Sequence, residues 1–311
     1  MQQLESRIAL ASDVWTGAVD GNWSNPGNWS LGYAPGAGDT AEFTSGADAA
    51  TANVDLPFNI AALTIDGSWG GTIHVDSPLS VSGNFQLSSG TFGGPGAVSI
   101  AGGDSQWTGG TIEVGAGGFT NQSGGALSLG GGSNLTLSGA GTFTNDGTIN
   151  DADTSALAIE NGAMLGNAPG AAFSFTADGG IAQGGSGPDV FNNAGLLEKT
   201  GGTGMSVITS QFNNLGGTID SESGTISLAT AGGTNTGGTL DAGLGGSTTA
   251  AIDLTGGNTV AYTGTYTGSG AGTIELADGT LAVGARGASF NFAGTLFQWT
   301  GGTIDVSSGG S

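Results

Sequence analysis

The feature that most restricts this chain is the return of short apolar words at intervals of about twenty residues. Ile73, Phe92 and Ile112 lie 19 and 20 residues apart. Leu196 to Ile219 is 23, and Ile219 to Leu240 is 21. A period of about 20–23 residues is too long for a hairpin and matches one coil of a β-solenoid. The words themselves alternate apolar and polar residues, as in Thr72-Ile73-His74-Val75, Thr111-Ile112-Glu113-Val114 and Thr225-Ile226-Ser227-Leu228. Alternation of period two places Ile, Leu, Val and Phe inward and Thr, Ser, Asp and Glu outward. One coil cannot bury its own apolar face. Stacking coils at about 4.8 Å pairs every strand with the next and stacks like residues into ladders. The sequence therefore predicts an all-β solenoid of about 12 coils between Asn59 and Ser311, a rod roughly 60 Å long at that spacing, with Phe and Asn ladders in its core.

Glycine supplies the corners. It accounts for 66 of 311 residues, a share with few explanations. Collagen needs Gly at every third position with abundant Pro, whereas Gly here falls in pairs and Pro totals 7. A disordered linker lacks β-branched and aromatic residues, and this chain is full of them. Gly at tight turns of positive φ is the remaining reading. No stretch carries an apolar stripe of 3.6-residue period over three turns, and the best helical candidate is Gln2–Ala11.

Three sets of near copies mark the repeat. Trp69-Gly70-Gly71-Thr72-Ile73, Trp107-Thr108-Gly109-Gly110-Thr111-Ile112 and Trp299-Thr300-Gly301-Gly302-Thr303-Ile304 form the first. Phe143-Thr144-Asn145-Asp146-Gly147, Phe191-Asn192-Asn193-Ala194-Gly195 and Phe212-Asn213-Asn214-Leu215-Gly216 form the second. Gly-Thr-Ile or Gly-Thr-Leu, as at Gly238-Thr239-Leu240 and Gly279-Thr280-Leu281, forms the third. The expected organisation is an export-related or flexible segment at 1–11, an aromatic-rich cap at 12–58, and solenoid repeats at 59–311. The period breaks over 152–190, where Pro169 and Pro188 fall, and a loop excursion is expected there. Residues Trp299 to Ser311 read as the start of a repeat, so exposed strand edges are expected, with three explanations open: a cut from a longer protein, head-to-tail pairing with a second copy, or a frayed tail.

Residues 12–46 hold Trp15, Trp23 and Trp29, with Pro26, Tyr33 and Pro35. A solenoid must cover its first coil, or its strands template aggregation, and large aromatics do this well. The competing reading of the same tryptophans is a sugar-stacking platform. The order Trp15-Thr16-Gly17, Asn22-Trp23-Ser24-Asn25-Pro26-Gly27-Asn28-Trp29, Pro35-Gly36-Ala37-Gly38-Asp39-Thr40-Ala41-Glu42-Phe43 resembles the opening of large secreted bacterial β-helix proteins, the autotransporter-like and haemagglutinin-like surface repeat proteins. The Phe-x-Asn-x-Gly and Gly-Gly-Thr-Ile repeats that follow resemble the same group. Leu4-Glu5-Ser6-Arg7-Ile8-Ala9-Leu10-Ala11 is similar to a stretch near the N-terminus of many exported planctomycete proteins. The resemblance implies a right-handed parallel β-helix at or outside the cell surface. The chain departs from that group in showing neither a C-terminal translocator barrel or anchor nor an apolar signal-peptide core in its first 11 residues.

Charge removes several function classes. Lys and Arg total 3 against 25 Asp and Glu, a formal net charge of -22. Nucleic-acid binding needs cations to displace counterions from phosphate, and Arg7, Lys199 and Arg286 cannot form a basic face. An anionic lipid surface is excluded on the same ground. Disulfides and thiolate metal sites need Cys, and there is none. No apolar run approaches the ~18 residues that cross a bilayer, so membrane insertion is not expected.

Catalytic candidates are few. His74 is the one histidine and sits between two apolar residues on a strand, so it is expected to face solvent; no Gly-x-Ser-x-Gly elbow is present. Lyases of acidic sugars would need more cations. Glycoside hydrolysis by two acids could draw on Glu113, Glu160, Asp220, Glu222, Asp253, Glu275 and Asp305. Glu113, Glu275 and Asp305 each follow an Ile, which points to a solvated outer face. Gly184-Gly185-Ser186-Gly187-Pro188-Asp189-Val190-Phe191-Asn192 fits one copy of the calcium-binding nonapeptide, whose ions lie between tandem copies. Asp189 is thus the calcium candidate, with Asp151 and Asp153 a second acidic pair. Trp69, Trp107 and Trp299 recur at one word position, either as corner aromatics or as a stripe that stacks on sugar rings. The Asn-x-Ser/Thr matches at Asn22, Asn28, Asn121 and Asn134 carry no weight in a chain of bacterial type.

The sequence thus reads as a structural, extracellular or cell-surface solenoid: a stalk, fibre or adhesin segment that is not an enzyme. Its partners would be itself, head to tail, other surface proteins, or a polysaccharide. The alternative is a carbohydrate-binding or carbohydrate-cleaving surface protein.

Overall fold

The computed structural model describes residues 11–306 apart from 48, 49, 133, 186 and 231. The helical candidate Gln2–Ala11, the stretch resembling exported proteins, Ser186 of the nonapeptide and the final residues 307–311 therefore lie wholly or largely outside the described residues. The chain is a β-solenoid of about twelve coils. Its strands are short, mostly of three or four residues, and every pair between named strands is parallel; the register is continuous except for a shift between Tyr262 and Gly264. The one regular helical piece among the described residues is a single 3-10 turn, Pro26–Asn28.

Each coil turns through three sides. A 15-stranded sheet runs the length of the rod. A 7-stranded sheet and a 5-stranded sheet follow one another on the second side, joined by a parallel bridge between Ile181 and Ile208. An 8-stranded sheet forms the third side, from Phe58–Ile60 to Gln211–Asn214. In the last coils the strands Thr259–Gly268 and Thr280–Phe292 run through the corner without a break, which merges the third side into the long sheet.

The expected register is present on the second side, where Ile73 faces Phe92 and Phe92 faces Ile112. It needs a one-residue correction on the long sheet. Leu197, not Leu196, pairs with Ile219 and is fully buried. Coil length also varies more than 20–23 residues. Leu79 to Val98 spans 19, and Thr239 to Thr267 spans 28. Up to Gly238–Ala242 the strands keep to two to five residues while the corners absorb the difference; in the last coils the long strands Thr259–Gly268 and Thr280–Phe292 take up the extra length.

Two expected boundaries move. Thr40–Phe43, Thr51–Val54 and Phe58–Ile60 already form a coil in register with the next, so the repeats begin at Thr40 and not at Asn59. The loop excursion at 152–190 is absent. Ala156–Ile159, Met164–Asn167 and Ala172–Phe175 are regular strands paired on both edges, and Gly180–Gln183 ends the 7-stranded sheet, paired with Ala156–Ile159 and bridged through Ile181 to Ile208. Pro169 and Pro188 fall between strands, where a missing N–H removes no ladder bond.

The core is one continuous column of aliphatic and aromatic side chains. On the third side it contains two rows. Phe119, Phe143, Leu165, Phe191 and Phe212 stack inward, with Phe119 on Phe143 at a centroid distance of 4.6 Å and 15° between planes. Beside them runs an asparagine ladder, Asn121, Asn145, Asn167, Asn193 and Asn214, all buried. Each Nδ2 donates to the Oδ1 of the next rung at 2.8–2.9 Å. The first four donate as well to the carbonyls of Thr148, Ala172, Leu196 and Thr218, each the first residue of a long-sheet strand one coil on. The side chains thus give a second donor to carbonyls that the ladder already engages, which ties the third side to the long sheet. This explains the glycine of Phe-x-Asn-x-Gly in two of its copies: a Cβ at Gly147 would lie 2.3 Å from the Gly125 carbonyl oxygen, and one at Gly195 2.4 Å from the Ala168 carbonyl oxygen; at Gly216 the space is open and the positive φ of 82° is the reason.

The start of the column is covered by 12–34. Ser12–Val14 extends the long sheet beyond Thr40–Phe43, and Asn22 bridges to Asn53 on the second side. Trp15, Trp23 and Trp29 are buried around Phe43, with centroids 4.8–5.9 Å apart. Asn28 pins the loop: its Oδ1 accepts from the Val19 and Asp20 amides, and its Nδ2 donates to Asp20 and to the Asn22 carbonyl.

Candidate functional site

The recurring tryptophans do not form a stripe. The Trp-Thr-Gly-Gly-Thr word makes the same local turn at Trp107 and Trp299, with indole Nε1 donating to the carbonyl three residues on at 3.3 and 3.4 Å. The turns sit at different corners. Trp107 lies on the long sheet between Leu87 and Leu129, whereas Trp299 lies on the second side beside Leu276. Trp69 and Trp107 are buried, and Trp299 is 57% exposed. Buried indoles present no face to a sugar, so the two inner positions are corner aromatics. Trp15, Trp23 and Trp29 are equally enclosed.

The acidic candidates scatter. Glu113 points outward from the second side, and Asp305 pairs beside Ala282 on a different face. Glu160 flanks the corner ahead of Asn161. Asp253 and Glu275 are neighbouring rungs on the second side. Asp253 is held by the Ser227 hydroxyl and the amides of Thr255 and Gly256. Burial, then Asp253 and Asp278, push the Glu275 carboxyl above its ordinary range. His74 faces outward as expected and pairs with Asp76 at 3.2 Å. Asp189 is fully buried; its Oδ1 accepts from the Gly162 amide of the preceding coil at 2.9 Å, and its Oδ2 has no partner. Among the described residues no group of three or more His, Cys, Asp or Glu is arranged to hold a metal ion.

Two charged features were not anticipated. The first is inward. Asp151 and Lys199 occupy core-facing positions of the long sheet, two rungs apart with Phe175 between them. Lys199 is wholly buried, and its Nζ donates to Asp178 Oδ1 and the Ala177 carbonyl, both at 2.8 Å. That pairing lowers the Asp178 carboxyl. At Asp151 burial outweighs the Asp153 amide and the more distant Lys199 charge, and pushes the carboxyl up to about 7.

The second is outward. Glu198, Asp220 and Asp241 stand on three successive strands of the long sheet as directly facing partners. Glu222 follows Asp220 on the same side of the chain. Glu198 accepts from the Ser174 hydroxyl, Glu222 from the Gly245 amide, and Asp241 from the amide and hydroxyl of Ser269. Asp220 has 8% exposure, and its Oδ1 is buried without a partner. Burial first, then Glu222, Asp241 and Glu198, push its carboxyl up to about 7. The signal for this ladder is in the sequence, in the aligned words Leu-Leu-Glu-Lys, Thr-Ile-Asp-Ser and Thr-Leu-Asp-Ala, but it is readable only once Leu197 replaces Leu196 in the register.

Surface cavities are shallow and follow the corners. One of about 340 Å³ is lined by Pro169, Gly170, Ala194, Gly195, Gly216 and their neighbours, with no ionisable side chain. A second, of about 220 Å³, contains Arg286, and a third, of about 160 Å³, contains Asp178 and Met205. None of the three brings two carboxylates together. Comparison of the chain with protein-family models, curated proteins and solved structures returned no match.

Proposed function

We propose that this chain is a structural element, a rod that supplies reach and surface presentation at the cell surface or outside the cell, as a stalk, fibre or adhesin segment. The observation that carries the reading is the unbroken stack. Parallel ladders and one apolar column run from Ser12 to Asp305 without a domain break among the described residues. Twelve coils at about 4.8 Å amount to a rod of roughly 58 Å. A fold alone does not assign a function, but here the polar side chains that are buried serve corners and rungs. The charge of -22 keeps rods apart in dilute solution, and salt or calcium would relieve that repulsion. The resemblance of the N-terminal words to secreted β-helix surface proteins supports the location.

The carbohydrate reading has less behind it, since Trp299 alone of its three indoles is open to solvent. Negative-stain electron microscopy over a range of protein and calcium concentrations tests the structural reading, together with a reducing-end assay on neutral polysaccharides. Rods, single or joined end to end, with no turnover are the expected result. Release of reducing ends by the purified chain, abolished by a single carboxylate substitution, would overturn it.

A further inference from the structure

Asp220 Oδ1 is buried without a hydrogen-bond partner on the outward side of the long sheet. A carboxylate enclosed among three others, without a donor, is costly to hold as an anion. Every flanking acid has a hydrogen-bond donor of its own, from Ser174, Gly245 or Ser269. Among the described residues no cation reaches the group. Lys199 is adjacent to Glu198 in sequence but turns inward to Asp178, and His74 pairs with Asp76. Arg286 lines a cavity with Gly264 and Thr265.

We propose that this ladder binds a divalent cation of the calcium type, seated against Asp220 Oδ1 between two neighbouring rungs. The spacing argues for it. Facing residues on adjacent strands stand about 4.8 Å apart, and calcium takes oxygen ligands at about 2.3–2.6 Å. An ion midway between Asp220 and an adjacent carboxylate therefore touches both. Two protein carboxylates with water completing the shell suit a cation that accepts irregular geometry. Magnesium, which needs near-octahedral ligands at about 2.0–2.1 Å and keeps its water, fits the same gap less well. Asp220 on the middle rung, with Asp241 and Glu198 to either side and Glu222 beside it, is the position where both gaps meet. Binding there ties three successive coils together, and the site does not depend on the structural reading above.

The test is calorimetric titration of the full chain with CaCl2 in 150 mM NaCl at pH 7.5. A saturable site is expected in the unaltered chain, with weaker uptake of MgCl2. Asp220→Asn should remove it. Asp241→Asn should weaken it at least tenfold, and Asp146→Asn, which removes one exposed carboxylate elsewhere, should leave it intact. Far-ultraviolet circular dichroism checks that each variant keeps its β content. If Asp220→Asn does not fold, Asp241→Asn alone decides. No saturable binding above that of diffuse counterions, or equal binding in the ladder variants and Asp146→Asn, would overturn the proposal.

Discussion

Replacing Asn167 by alanine is the sharpest probe of how the corners are held. Asn167 is 2% exposed and sits mid-ladder. Its Oδ1 accepts from Asn145 at 2.9 Å, and its Nδ2 donates to Asn193 Oδ1 and to the Leu196 carbonyl, both at 2.8 Å. Alanine strands one Asn145 hydrogen and the Asn193 Oδ1 in the core. A buried group left unpaired costs about 1–3 kcal/mol, so the loss should be about 2–6 kcal/mol. Asn121→Ala is the built-in comparison. Asn121 begins the ladder after Ile100, and its Oδ1 already lacks a partner. Its removal strands Asn145 Oδ1 but also deletes an existing orphan; the two offset on the same scale, so a loss below about 1 kcal/mol is expected. Urea unfolding read at unchanged m-value measures both. Equal losses in the two variants, or less than about 1 kcal/mol for Asn167→Ala, would refute a ladder whose value lies in mutual satisfaction.

Three further outcomes are expected. Asp151 and Asp220 have carboxyls raised to about 7 in the folded chain; the folded state therefore holds protons that the unfolded state has released, and stability should fall as pH rises from about 4 to about 7 and then level off, a slope that Asp151→Asn together with Asp220→Asn should flatten in thermal melts without added calcium. Gly93→Ala should destabilise by more than about 2 kcal/mol, because φ is 138° and the new Cβ would lie 1.9 Å from the Glu113 carbonyl oxygen, whereas Gly103→Ala, with nothing within 4 Å, should be near neutral in the same urea assay. Trp23→Ala should cost about 3–5 kcal/mol and expose the first coil, seen as increased aggregation in light scattering.

Much of this architecture is legible in the sequence because period and alternation are set by the strands. Ile73, Phe92 and Ile112 align as their spacing requires, and the Phe-x-Asn-x-Gly words become the aromatic and asparagine rows. What is not legible lies at corners. Corner length carries no ladder bonds, so the stretch from 152 to 190 looks irregular while its strands stay in register. The Trp-Thr-Gly-Gly-Thr turn is locally self-sufficient, since its indole bonds to its own backbone, and so it serves two different corners and leaves Trp107 buried and Trp299 open. The acidic ladder was obscured by one residue of register. Because side chains alternate, taking Leu196 for Leu197 turns Glu198 and Lys199 to the wrong faces. An inward lysine at position 199 contradicts composition rules and is intelligible only with Asp178 and the Ala177 carbonyl in place.

The account rests on coils that each contact only their neighbours, and pulling on the chain ends in an optical trap tests that most directly. A coil of 19–28 residues, drawn out at about 3.4 Å per residue, lengthens the chain by roughly 65–95 Å. The account predicts successive extension events of that size or its multiples, as coils peel from the stack under load. Smooth extension with no discrete events would contradict a ladder-bonded rod and the mechanical role proposed for it.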